Sequence, residues 1–251
     1  NAGVAELTLA VEDQNSYVCV AAIKSLGLMR REDVPQETID LLLSMLDDYN
    51  DFVCSEAMQT LAQLKVVECI PTLIEFLNDK NPNIVSRAIQ SLGKLNAKEA
   101  VPQLREFLFC KNPYIQVEAI RAVTTMDDAS IKPELLNLLV DFCAVPNDKR
   151  NITIMGVLIE ACGRFKIEEA APYLIEIAQN RVGLRGKAVG ALVECGASEA
   201  APILIKMIND PSLTLRQNLI QLMVKSNYRD ALPLLRPLLF EQASHSRRMG
   251  L

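Results

Sequence analysis

The sequence predicts an all-α fold of stacked helical pairs, and three observations carry the prediction. The 251 residues are 50% hydrophobic but only 5% aromatic, with no Trp, a composition suited to helices that pack through Leu, Ala, Ile and Val. A short motif ending in proline recurs about every thirty residues. After each copy, a second segment repeats apolar residues at the spacing of one helix face.

The proline motif opens the first helix of each pair, the A helix. Glu68-Cys69-Ile70-Pro71 recurs as Glu99-Ala100-Val101-Pro102, Glu169-Ala170-Ala171-Pro172, Glu199-Ala200-Ala201-Pro202 and Asp230-Ala231-Leu232-Pro233, with a divergent Lys132-Pro133 between the second and third copies. Successive prolines lie 31, 31, 39, 30 and 31 residues apart. A proline in the first turn loses no hydrogen bond, because that N–H has no partner inside the helix, and an acid three residues earlier suits the positive helix end. A helices are expected at 1–12, 35–48, 68–79, 99–110, 131–143, 168–179, 199–210 and 230–242.

The second helix, B, follows a polar turn. Its anchors are Val18, Val53, Ile84, Ile115, Ile154, Leu184 and Leu215. Four residues on stand Ala22, Ala57, Ala88, Ala119, Leu158, Ala188 and Leu219, and five on stand Ile23, Met58, Ile89, Ile120, Ile159, Val189 and Ile220. Eight on stand Leu26, Leu61, Leu92, Val123, Cys162, Leu192 and Met223. Offsets 0, 4, 5 and 8 share one helical face, and the mostly small residue at offset 4 lets neighbouring helices approach. B helices are therefore expected at 16–30, 51–66, 82–95, 113–127, 150–166, 182–195 and 213–226. The fifth repeat carries about eight extra residues around 142–151, the expected site of a bend or protrusion.

The acidic-Ala-x-Pro-x-Leu motif, the Asp-Lys-Asn-Pro-Asn-Ile turn at 79–84 and Ala88-Ile89-x-x-Leu92-Gly93 together resemble HEAT repeats, and the short period resembles the phycobilisome-lyase-like subclass, a bacterial type. The resemblance covers nearly the whole chain. It implies an α–α superhelix of about seven pairs plus a terminal half repeat, one solenoid over 1–243 with a flexible tail at 244–251, and B helices on the concave side. The family places Arg one residue after the B anchor. Here that position reads Cys19, Cys54, Val85, Gln116, Met155, Arg185 and Arg216, so the stacking role of this ladder is in doubt in the first five repeats.

Such an array offers area for binding rather than a cleft for chemistry. The net charge of −5 divides unevenly, since the A segments hold 20 acidic and 4 basic residues and the B segments 6 and 13. The solenoid is expected to be acidic outside and mildly basic inside. Exposed B positions are expected mainly at offsets 3, 6 and 10, and offsets 6 and 10 supply Lys24, Gln59, Gln90, Lys94, Arg121, Arg164, Gln221 and Lys225, amides and cations able to hold an acidic peptide or domain surface along the concave face. Just before the anchors, Tyr17, Phe52 and Tyr114 line one rim. They stand either as anchors for a partner or as covers for the preceding helix.

No catalytic residue, metal or cofactor is expected. The single histidine, His245, excludes any site built on two, including the His-Glu iron sites of deoxyhypusine hydroxylases, which are HEAT-like. No phosphate-binding glycine loop, nucleophile elbow or zinc-like spacing occurs. The acidic balance and absence of Trp argue against nucleic acid. The seven cysteines form no C-x-x-C pair, and Cys19 and Cys54, in equivalent positions of stacked repeats, would lie about 10 Å apart, so buried thiols of a cytoplasmic protein are expected. No run is apolar enough to span a membrane. The start at Asn1-Ala2-Gly3 suggests a trimmed chain or one segment of a longer solenoid. The expected function is a non-enzymatic scaffold for a protein partner. The alternatives are a bilin lyase or isomerase-like subunit acting on a phycobiliprotein, as the subclass implies, and, less favoured, a nucleic-acid-binding HEAT-like protein.

Overall fold

Proline, small residues and a left-handed turn divide the chain into helical pairs. The computed structural model describes residues 2–144, 152–207 and 213–225, and every regular element in them is helical. The A helices are α1 (Ala2–Val11), α3 (Gln36–Ser44), α5 (Ile70–Glu75), α7 (Val101–Phe107), α9 (Lys132–Ala144), α11 (Ala171–Asn180) and α13 (Ala200–Leu204). The B helices are α2 (Ser16–Leu26), α4 (Asp51–Gln63), α6 (Pro82–Leu95), α8 (Pro113–Met126), α10 (Ile152–Arg164), α12 (Arg185–Cys195) and α14 (Leu213–Lys225). The terminal half repeat at 230–242, the tail at 244–251 and most of the insertion at 142–151 lie outside the described residues.

The chain divides into two compact units, Asn1–Asp128 and Ala129–Leu251. In the first, α2, α4, α6 and α8 stack in series, with α1, α3, α5 and α7 each packed on its own B helix. In the second, α10, α12 and α14 stack likewise, backed by α9, α11 and α13. This is the all-α repeat architecture that the sequence predicts.

The A helices are shorter than their sequence spans. Around α5, Val67–Cys69 and Phe76–Asn78 are 3-10 turns, so the acid of the proline motif sits in a tight lead-in and not in the first α turn. The lead-ins at Lys98–Ala100 and Glu168–Ala170 repeat this, with Pro71, Pro102 and Pro172 in the first α turn behind them.

The B helices bury the predicted face. Offsets 4, 5 and 8 are buried throughout apart from Ile220, which is half-buried. Full burial of such an aliphatic side chain contributes about 1.5–3 kcal/mol. The anchors are buried as well, with one exception: Val18 is 40% exposed. Its helix α2 packs on α1 and α4, and no repeat covers the other side of it among the described residues.

Two devices set how the repeats join. At offset 1, Cys54 Sγ donates to the Leu46 carbonyl at 3.1 Å, Gln116 Nε2 to Leu108 at 2.6 Å and Arg185 Nε to Ala178 at 2.9 Å. Three chemistries thus tie the start of a B helix to a free carbonyl near the end of its A helix, the place where the family's Arg stands. The second device closes the B helix. Twelve residues after the anchor, Lys65, Asn96, Asp127, Lys166 and Gly196 all adopt positive φ, between 51° and 72°. In four of these the next residue's N–H returns to the carbonyl five back, as in Val66 to Leu61 and Ile167 to Cys162, both at 3.0 Å, and Val66, Ala97, Ile167 and Ala197 are buried. This is the Schellman closure with its apolar contact.

Consecutive B helices approach closely between offset 9 and offset 7 of the next repeat where offset 9 is Gly93 or Gly163. A Cβ on Gly93 would lie 3.0 Å from the Cα of Ala122, and one on Gly163 would lie 2.9 Å from the Cα of Ala191. At offset 7 of the second and third repeats a hydroxyl donates across the joint: Thr60 to the Ile23 carbonyl at 3.1 Å and Ser91 to Met58 at 3.2 Å.

Two predictions follow from these joints. Gly163→Ala is expected to lower stability by about 1–3 kcal/mol through overpacking, read as the shift of the urea midpoint. Lys166→Gly is expected to raise it by about 0.5–1 kcal/mol, because glycine adopts the left-handed turn without the Cβ clash.

Candidate partner-binding faces

In the first unit, the turn that starts each B helix is built the same way. Asn15, Asn50, Asn81 and Asn112 N-cap α2, α4, α6 and α8, and their side-chain oxygens accept from the N–H of Tyr17, Phe52, Asn83 and Tyr114 at 3.0, 3.0, 2.9 and 3.0 Å. Such a cap contributes about 1 kcal/mol. In three of the turns a carboxylate holds the cap: Asp13, Asp48 and Asp79 accept from the N–H of Asn15, Asn50 and Asn81 at 2.7, 2.7 and 2.6 Å. Neighbouring turns are tied where Asn81 Nδ2 donates to Asp51 Oδ2 at 2.6 Å. Sequence reasoning missed these asparagines, although one stands three residues before each of the first four anchors.

The caps fix the three rim aromatics at the second position of their helices. Tyr17, Phe52 and Tyr114 are 86%, 80% and 79% exposed, so they do not cover the preceding A helix. Tyr49, in the turn before Asn50, is 96% exposed and belongs to the same rim.

On the B-helix face of this unit, Lys24, Lys94 and Arg121 are exposed, and Gln59 and Gln90 are half-buried. The two amides are not free. Arg87 Nη1 donates to Gln59 Oε1 across the α4–α6 joint and to Gln90 Oε1 at 3.3 Å. Lys65 Nζ donates to the carbonyl oxygen of Lys94. Lys65, Arg87 and Lys94 therefore form one cationic cluster. Burial foremost, then Arg87 and Lys65, press the Lys94 ammonium below its ordinary value, with Glu56 pulling the other way. Arg121 lies 3.4 Å from Glu118 on its own helix. Arg87, at offset 3, where exposure is expected, and Lys65, at offset 12 in the turn that closes α4, were not among the residues singled out from sequence.

In the second unit, Arg164 borders a groove of about 850 Å³ between α10, α12 and α14. Gly186 and Gly190 line it, flanked by Glu194, by the Glu160–Lys187 ion pair at 2.7 Å and by Asn218, whose Nδ2 donates to the Gly186 carbonyl at 3.1 Å. This groove carries both signs of charge, unlike the basic inner face expected from the segment totals. Gln221 is exposed on α14, and Lys225 ends that helix, its side chain outside the described residues. Offset 3 is not uniformly exposed, since Val157 is buried.

The cysteines are free thiols, five of them buried, with Cys110 and Cys143 half-buried. Burial pushes Cys69 and Cys162 up to about 12. It pushes Cys54 and Cys195 to about 11, aided at Cys54 by Asp51, Asp48, Asp79 and Asp47 and at Cys195 by Glu194. A thiol so raised is a weak nucleophile near neutrality. Among the described residues no helix is long and apolar enough to cross a membrane.

A family described as HEAT repeats matches the sequence at residues 4–85, 39–109 and 70–156. No curated protein matches it in sequence. Among solved structures, the chain is similar to an engineered protein at 15% identity and a TM-score of 0.60, over 89% of this chain and 68% of that one. It is similar to the complex of CpcE and CpcF of phycocyanin lyase from Nostoc sp. PCC7120 at 18% identity and a TM-score of 0.54, over 87% and 93%. It is also similar to a structure of the cadherin and beta-catenin interaction at 13% identity and a TM-score of 0.53, over 88% and 52%. At these identities the likeness is one of fold.

The raised thiols generate a pH prediction with a fixed sign. Their folded pKa values exceed the ordinary 9.0, so the stability they carry is complete below pH 9 and is lost as pH rises from there through 11 to 12. The urea midpoint is expected to fall above pH 9, and to fall less in a Cys69→Ala/Cys162→Ala variant. Iodoacetamide at pH 8 is expected to label Cys110 and Cys143 well before the buried five, as read by peptide mass mapping.

Proposed function

The chain belongs to the HEAT-repeat family, and on that premise we propose that it is a non-enzymatic scaffold that holds an acidic segment of a protein partner against the B-helix face. The observation that carries this reading is the Lys65, Arg87 and Lys94 cluster on α4 and α6, with Gln59 and Gln90 bridged through Arg87. Three cations so close together repel one another: after burial, Arg87 and Lys65 lower the Lys94 pKa, with Glu56 opposing them. A carboxylate placed among them relieves that repulsion and gains charge-assisted hydrogen bonds. Lys24 and Arg121 extend the cationic positions onto α2 and α8. The exposed guanidinium of Arg164 offers a further contact in the second unit, beside Glu160 and Glu194 of its groove.

The fold supports the reading in a second way. A helix pair buries its apolar face only against its neighbours, so the array exposes a periodic row of side chains at fixed spacing. An extended peptide has its own fixed spacing and matches such a row with little reorganisation.

The test is a titration of a labelled Glu- and Asp-rich peptide of about a dozen residues, followed by fluorescence anisotropy at low and moderate salt. Lys94→Glu with Arg121→Glu is expected to weaken binding at least tenfold and to flatten its salt dependence, and adding Arg164→Glu reads the contribution of the second unit. Wild-type affinity in the charge-reversed protein, with its melting temperature unchanged, removes the B-helix face as the acidic-segment site.

A further inference from the structure

The rim of the first unit differs in chemistry from its B-helix face. Tyr17, Phe52 and Tyr114 project from equivalent positions of α2, α4 and α8, each held at its backbone by the same asparagine cap, and Tyr49 stands exposed beside them. Four of the chain's twelve Phe and Tyr residues are thus spent on solvent-exposed turns of one rim. The turns before α2, α4 and α6 also carry Asp13, Asp47, Asp48, Asp51 and Asp79, against one cation, Lys80, while the turn before Tyr114 carries Lys111. The carboxylates act together: Asp48 and Asp13 both push the thiol of Cys19 up, after burial, as four of the five do for Cys54. Asp13, Asp48, Asp51 and Asp79 each hold a cap or a neighbouring turn through one oxygen, and Asp47 is exposed at the end of its 3-10 turn.

We propose that this rim is a docking surface for an extended, arginine-rich peptide segment of a partner protein. Aromatic rings attract a cation over their faces, and a guanidinium both stacks on a ring and donates to a carboxylate oxygen beside it. Tyr17 and Phe52 with Asp13, Asp48 and Asp51 supply that pairing in adjacent repeats. Spacing selects the peptide. Stacked helices lie roughly 8–10 Å apart, and an extended chain advances about 3.3 Å per residue, so adjacent turns meet every third peptide residue. The segment that fits carries Arg at positions i, i+3 and i+6. Its third Arg reaches the turn of Asn83 and Asp79, and its continuation reaches Tyr114. The rings are rigid and already exposed, so docking orders few side chains.

The experiment is fluorescence anisotropy with a labelled peptide bearing Arg at i, i+3 and i+6 among Gly and Ser, against wild type and a Tyr17→Ala/Phe52→Ala variant. Both side chains are exposed, so the variant is expected to keep the wild-type melting temperature. The expected result is at least a tenfold loss of affinity in the variant and in an Asp47→Asn variant a smaller loss. Moving the arginines to consecutive positions is expected to weaken binding to wild type several-fold. Equal affinity of the Tyr17→Ala/Phe52→Ala variant and wild type overturns the proposal. So does a concentration-dependent dimer in sedimentation that the same substitutions abolish, since it assigns the rim to a second copy of the chain. The acidic peptide of the preceding test is expected to bind the rim variant as it binds wild type, which keeps the two faces separable.

Discussion

The closeness of successive B helices is the constraint on which the rest of this structure depends. Backbones meet where Gly93 faces Ala122 and Gly163 faces Ala191, with no room for one more methyl group. That approach aligns offsets 4, 5 and 8 of neighbouring repeats into a continuous apolar layer within each unit, and it brings the hydroxyls of Thr60 and Ser91 to carbonyls of the helix before. It also fixes which side chains meet on the solvent side. Arg87 reaches Gln59, and Lys187 reaches Glu160, because offset 3 of one B helix lies over offset 6 of the previous one. The surface chemistry is thus set by core geometry.

Much of this was legible in the sequence, and the parts that were not have identifiable causes. A 3.6-residue period located every B helix, since burial of one face imposes it directly. It could not distinguish α helix from 3-10 turn, because both place an apolar residue every three or four positions, so the A helices were drawn too long at Val67–Cys69 and Phe76–Asn78. It marked Val18 as core by alignment with Val53, but burial at that position also needs a neighbour stacked against it. The asparagine caps recur three residues before the first four anchors, but a hydrophobic period carries no signal for a polar cap outside the helix. The offset-1 bonds were illegible in principle. Cys54, Gln116 and Arg185 share no chemical class, and only the geometry reveals that each donates to the end of its A helix.

Charge was legible only in total. Segment sums gave acidic A helices and basic B helices, yet the structure separates two surfaces within the first unit alone. The carboxylates of its turns sit at the B-helix starts, where they also favour the positive end of the helix dipole, while Lys65 and Lys94 sit near B-helix ends, where cations are favoured. The same electrostatics that stabilise each helix therefore sort opposite charges onto different edges of the stack. A chain built this way presents two surfaces of opposite charge within one unit.

The glycine joints have one more consequence. Offset 9 reads Gly27, Ala62, Gly93, Thr124, Gly163 and Val193, so glycine occupies every second repeat from the first to the fifth. Neighbouring repeats are thus not interchangeable: moving the second into the place of the third would set the methyl group of Ala62 where a Cβ lies 3.0 Å from Ala122. A shift of two repeats keeps glycine at this joint, whereas a shift of one does not.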